Sequence, residues 1–225
     1  MKRCFYAVLF LALIAVPLLA QTPAGWQVRA DRSTSATDPD GAGDIKFVTI
    51  PGGFRATNPT AAIYWNPANT AKGDYTLRGT FKLLEPSGHT NFYGLFVGGR
   101  ALEGMDQNYL YFTVAQDGSF LVRKRAGDRM PDPNAPARGR GGRGPQAITE
   151  NVQRATHDAV RKPGADGTST NTLEIRVAGN TLNFVVNGTV VHTMPKGDLM
   201  TDGIYGIRVN HLLNVEITDF GLAKK

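Results

Sequence analysis

Apolar and charged residues alternate strictly through Leu173-Glu174-Ile175-Arg176-Val177, the period of two that marks a half-buried strand. Ala178-Gly179-Asn180 turns the chain, and residues 181–186 put Leu182, Phe184 and Val186 on one face. Asn187-Gly188 follows, a strong hairpin signal because a type I′ turn needs positive φ at both central residues. A two-residue loop sets Val186 against Thr189, Val185 against Val190, Phe184 against Val191 and Asn183 against His192. Directly paired residues share a face, so this register predicts Phe184 and Val191 inward and His192 beside Asn183 on the other side. Tyr205, Ile207 and Val209, then Val215 and Ile217, are the apolar sets of a last pair over residues 204–209 and 215–222.

The same period recurs upstream. Residues 74–84 turn Tyr75, Leu77, Phe81 and Leu83 one way and Thr76, Arg78, Thr80 and Lys82 the other. Residues 92–97 are apolar on both faces, as a strand covered on both sides requires, and Gly98-Gly99 ends them. Residues 109–114 and 119–125 form a hairpin about Gln116-Asp117-Gly118. Its first strand carries Leu110, Phe112 and Val114 on one face and Tyr109, Tyr111 and Thr113 on the other. Shorter strands are predicted over residues 26–28, 45–50 and 61–65, with Trp26 as an anchor. Pro51-Gly52-Gly53 and Asn66-Pro67 are the stops, residues 31–44 read as a loop, and residues 148–160 return the chain to the sheet. No amphipathic helix of ten or more residues is predicted. Roughly eleven short strands separated by Gly, Pro and Asn turns predict an all-β, antiparallel two-sheet sandwich.

The run NTLEIRVAGNTLNFVVNGTVV, then DGIYGIRVN, then VEITDFGL, resembles the C-terminal half of a concanavalin A-like (laminin G-like) jelly roll. The resemblance spans residues 26–222. It implies a jelly-roll sandwich and a carbohydrate-associated role. Bacterial secreted relatives of that superfamily include domains of the 3-keto-disaccharide hydrolase type, so a glycosidase-like hydrolase is the implied alternative.

Met1-Lys2-Arg3 is a short basic start, and Cys4 to Ala20 is almost wholly apolar before Gln21-Thr22-Pro23. Residues 1–20 therefore read as a secretory signal peptide, and residues 21–225 as a single sandwich domain that is secreted or periplasmic, with no membrane span after cleavage. Cys4 is the only cysteine, which excludes disulfides, thiolate nucleophiles and Cys-based zinc sites from the mature chain.

The formal charge of +6 is concentrated. Residues 123–143 hold Arg123, Lys124, Arg125, Arg129, Arg138, Arg140 and Arg143 against Asp128 and Asp132, and the rest of the mature chain is about neutral. Residues 127–147 are rich in Arg, Gly and Pro and poor in apolar residues, the composition of a disordered insertion between two strands. Such a run suits polyanions. Export argues against nucleic acid and leaves carbohydrate or an anionic cell-surface polymer as the expected partner.

Glycosidic hydrolysis needs two carboxylates flanking the bond. The Glu-x-Asp-x-x-Glu run of laminarinase-type glucanases does not occur, and Glu174 and Glu216 stand alone on their strands. Glu103 and Asp106, in the loop after Gly98-Gly99, with His89 or His157 nearby, form the remaining acid/base set. Asp38-Pro39-Asp40-Gly41-Ala42-Gly43-Asp44 offers three carboxylates to calcium, yet Ala42 and Thr49 break the EF-hand pattern and a plain Asx-turn explains the loop equally. His89, His157, His192 and His211 show no metal-ligand spacing, so no cofactor is expected.

Sugar binding asks for an aromatic platform and a few fixed polar groups. Strand parity turns Tyr109, Tyr111, Arg208 and Asn210 away from the core, Trp65 joins them by chemical type, and His211 opens the adjoining loop. A non-catalytic, carbohydrate-binding module is the leading expectation. A glycoside hydrolase and a structural domain without a small ligand are the alternatives.

Overall fold

A computed structural model describes residues 22–35, 37–130 and 145–223. The leader predicted over residues 1–20 lies outside the described residues, as do residues 131–144 of the basic insertion. The strands are β1 (Gln27–Asp31), β2 (Lys46–Ile50), β3 (Gly53–Asn58), β4 (Ala61–Ala71), β5 (Tyr75–Glu85), β6 (Phe92–Arg100) and β7 (Asn108–Ala115). They continue with β8 (Ser119–Arg129), β9 (Gln146–Thr156), β10 (Ser169–Ala178), β11 (Thr181–Val186), β12 (Thr189–Pro195), β13 (Gly203–Val209) and β14 (Leu213–Leu222). The described residues contain no helix.

Two seven-stranded sheets form a sandwich. Sheet A runs β1-β4-β13-β6-β7-β8-β9 and sheet B runs β12-β11-β10-β5-β14-β3-β2, with every neighbouring pair antiparallel. The core between them is built from alternate residues of both sheets: Leu95, Phe112 and Ile207 from sheet A, and Leu77, Phe81, Ile175 and Phe184 from sheet B, all buried. Trp26 closes one end of this core against Phe47, Phe54 and Phe220. In β6 every position from Phe92 to Gly99 is buried, because it lies in the middle of sheet A with side chains covering both faces.

Two expectations are corrected, and one strand is added. Asn66-Pro67 does not end its strand: β4 runs on to Ala71, and the second half keeps a partner in β13. Pro51-Gly52 is a hairpin turn, and residues 53–58 continue as β3, with Gly52 at φ 79. The Asn187-Gly188 hairpin has the positive φ values of a type I′ turn, 51 and 84, and its first two pairs, Val186 with Thr189 and Val185 with Val190, are as expected. A bulge then inserts Val191, so Phe184 pairs with His192 and Asn183 with Thr193. The one-residue slip brings His192 to Phe184, with ring centroids 6.1 Å apart. Burial holds the pKa of His192 below its ordinary value.

Strands also reach into both ends of the basic insertion. Arg129 of β8 pairs with Gln146 of β9, and Asp128 with Ala147, so residues 127–129 and 146–147 belong to sheet A.

Candidate functional site

The outer face of sheet A is assembled from positions that strand parity turns away from the core. β4 supplies Ile63 and Trp65, β6 supplies Phe92 and Phe96, and β7 supplies Tyr109 and Tyr111; together with Leu102, Ala115 and Leu121 they form a second apolar cluster. The sequence expects Trp65, Tyr109 and Tyr111 to be an open platform. All three rings are instead buried, Tyr109 completely, Trp65 and Tyr111 at 2% and 3% exposure. What covers the two tyrosines is charge. The Arg208 guanidinium lies over the Tyr111 ring, 5.0 Å from its centroid, and donates to the Tyr109 hydroxyl at 2.9 Å.

Arg208 on β13 is paired with Gly94 on β6, which in turn faces Thr113 on β7. The Arg208 guanidinium also donates to Asp31 Oδ2 at 2.6 Å. Asp31 ends β1 and accepts from Arg29 at 2.9 Å and Arg125 at 3.3 Å. Asp128 accepts from Arg29 at 2.6 Å, from Gln107 at 3.1 Å and from Arg125. Arg29, Asp31, Arg125 and Asp128 thus close a ring of ion pairs to which Arg208 is joined through Asp31, and Arg29 is the most exposed member at 19%. Burial raises the carboxyl of Asp31, but Arg208, Arg125 and Arg29 outweigh it and hold the pKa below the ordinary value. Burial raises the Tyr109 hydroxyl, which stays protonated as a hydrogen-bonding group. Polar atoms on this face are left over: Gln27 Oε1, Gln107 Oε1, Thr113 Oγ1 and Arg125 Nε are buried without a hydrogen-bond partner among the described residues.

The expected ligand set divides here. Trp65, Tyr109, Tyr111 and Arg208 share the outer face, whereas Asn210 and His211 lie in the β13–β14 loop at one end of the sandwich. The Asn210 N–H donates to the Phe92 carbonyl at 2.9 Å, extending the β13–β6 ladder by one bond and fixing the residue that follows. His211 is buried, and its Nε2 lies 3.1 Å from His89 Nε2 and 3.2 Å from Asp38 Oδ1. No spacing in the sequence signals this meeting, since 122 residues separate the two histidines.

Two other expectations change. Glu103 and Asp106 are exposed in the loop beyond Arg100, whereas His89 precedes Phe92, so the length of β6, about 27 Å at ~3.3 Å per residue, separates them. His89 cannot join that pair. Of the three calcium candidates, Asp38 and Asp40 turn toward His211, while Asp44 lines a separate surface cleft with Lys46, Glu85 and Leu212. Glu216 pairs with Arg55 and Glu174 with Arg176 on the outer face of sheet B. Sequence reasoning missed Asp31, Asp128, Arg29, Arg125 and Gln107. The polar alternation Gln27, Arg29, Asp31 was a usable signal for β1, whereas Asp128 carried none.

Comparison with protein-family models and with curated proteins finds no match. Among solved structures, carbohydrate-binding module CBM66 from Bacillus subtilis is similar with a TM-score of 0.54 at 8% identity, over 89% of this chain and 96% of that one. A Bacillus licheniformis β-glucanase is similar with a TM-score of 0.52 at 12% identity, over 91% and 94%. At these identities the likeness is one of fold. The chain has the two-sheet jelly-roll fold of the concanavalin A-like lectins and glucanases.

Proposed function

We propose that this protein is an exported carbohydrate-binding module whose ligand surface is the outer face of sheet A, and that it favours acidic saccharides. The observation that carries the reading is the composition of the buried network. Three arginines face two carboxylates, and four polar atoms beside them lack partners among the described residues. A hydroxyl-rich anion offers acceptors to Arg29, the most exposed member of the network, and a negative charge for the spare guanidinium. The ligand would gain entry at Arg29. Because Tyr109 and Tyr111 are buried, recognition rests on hydrogen bonds and charge, with the rings as a rigid floor.

A hydrolase is the second reading, favoured by the placement of Asp31 and Asp128, which share Arg29 and Arg125 as partners. One carboxyl of a glycosidase pair must carry a proton to the leaving group. The three arginines keep Asp31 ionised, and that favours binding without turnover.

A glycan array probed with the purified protein should return uronate- or sulfate-bearing oligosaccharides, with retention falling as salt is added. Arg29→Ala should weaken the best hit at least tenfold while the fold persists. An array without hits, or a hit indifferent to Arg29→Ala, would end this reading, and cleavage of the bound glycan would replace it with the hydrolase.

A further inference from the structure

Three loops meet at the end of the sandwich where β1 stops and β6 begins. Each contributes one donor atom to a small triangle. Asp38 Oδ1 lies 2.9 Å from His89 Nε2 and 3.2 Å from His211 Nε2, and the two nitrogens are 3.1 Å apart. We propose that Asp38, His89 and His211 bind a divalent transition-metal ion of the zinc class.

The triangle has too few hydrogens for its edges. Asp38 can only accept, and each imidazole Nε2 carries one hydrogen at most. If both nitrogens donate to Asp38, two N–H groups face each other across 3.1 Å; if one does, another edge has no hydrogen. Asn91 Nδ2, an amide donor 3.0 Å from His89 Nε2, needs the one lone pair of that nitrogen, which a bound ion would take in its place. A cation shared by three lone pairs satisfies all three edges together. The dimensions fit. A tetrahedral ion with bonds of about 2.0–2.1 Å separates its ligand atoms by about 3.3 Å, and an octahedral one by about 3.0 Å.

The residues behind the triangle are arranged as supports. His211 Nδ1 lies 3.4 Å from Asp40 Oδ1, a buried carboxylate oxygen with no hydrogen-bond partner among the described residues. A carboxylate beside Nδ1 keeps the hydrogen on that side of the ring and leaves Nε2 free to ligate. Asp40 is anchored in turn, since its Oδ2 accepts the Ser33 N–H at 3.0 Å, and Ser33 Oγ donates to the Asp38 carbonyl at 2.6 Å. The loop that carries His89 is held by Gln116, whose amide donates to the Ser87 carbonyl at 2.7 Å and the His89 carbonyl at 3.2 Å. Two imidazoles and one carboxylate select a transition ion over calcium, which takes six or more oxygens. His89 and Asp38 are 42% and 49% exposed, so any further coordination position opens to solvent.

The test is a titration of the untagged, chelator-treated protein with zinc chloride and cobalt chloride, followed by calorimetry, visible absorption and thermal unfolding. One equivalent of each ion should bind, cobalt should develop a d–d band, and zinc should raise the Tm. His89→Ala and Asp38→Asn should each lower affinity at least tenfold, and Asp40→Asn about tenfold or more through the ring it orients. His157→Ala should change nothing. Both His89 and Asp38 are half-exposed, so Asp38→Asn keeps the test decisive if His89→Ala fails to fold. No binding at 0.1 mM metal would overturn the proposal. So would binding that survives both substitutions, or calcium binding in place of zinc and cobalt.

Discussion

The two outer faces of this sandwich solve the same problem in opposite ways. On sheet B, buried and polar positions alternate: β5 and β10 turn Arg78, Lys82, Glu174 and Arg176 to solvent, and the ion pairs Arg55–Glu216 and Arg176–Glu174 are partly exposed. On sheet A the outer positions are aromatic, and the ion pairs above them are nearly dry. Geometry on paper is alike in both cases, a guanidinium against a carboxylate. The energies are not. A pair in water gives back most of its Coulomb gain in screening and lost side-chain freedom, about 0–1 kcal/mol. A buried pair is costly to assemble and far costlier to break, about 3–5 kcal/mol, because the surviving partner is left charged and dry. Burial therefore decides which arginines matter.

The largest effect expected from that contrast is on sheet A. Asp31→Ala should destabilise the fold by about 3–5 kcal/mol in urea unfolding, since it strands Arg208, whose carboxylate partner is Asp31. A loss under ~1 kcal/mol would mean that the network is hydrated. Tyr111→Ala should cost a similar amount, about 3–5 kcal/mol, by emptying the space beneath Arg208. Survival of the fold with little loss would restore the ring to a surface role. On sheet B, Glu216→Ala should cost no more than about 1 kcal/mol by the same measurement, and a larger value would erase the distinction between the faces.

Acid should separate the faces too. The Asp31 carboxyl is held below its ordinary value, so the stability it lends is present above about pH 3.8 and is lost as the pH falls through the folded-state pKa. An Asp31→Asn variant should be flatter than the natural protein in that window. The smallest effect belongs to His192. Its pKa is depressed by burial, so its contribution is present above about pH 6.5 and fades as the pH falls below that value. Comparing His192→Gln with the natural chain across pH 5–8 checks the sign.

The alternation in residues 74–84 and 173–177 and the Asn187-Gly188 turn determined sandwich strands, their inward faces and one hairpin, because side-chain period and turn dihedrals are local properties of the chain. Parity likewise placed Tyr109, Tyr111 and Arg208 off the core face. Tertiary structure decided the rest. Local pattern says which way a side chain points and not what lies over it, so the burial of those tyrosines under Arg208 depended on β13, β6 and β7 becoming neighbours. Asp31 and Asp128, 97 positions apart, share two arginines only because β1 and β8 contribute to one face. His89, His211 and Asp38 meet for the same reason. Loops converge where strands end, and where strands end in space is a property of sheet order, which no local spacing encodes.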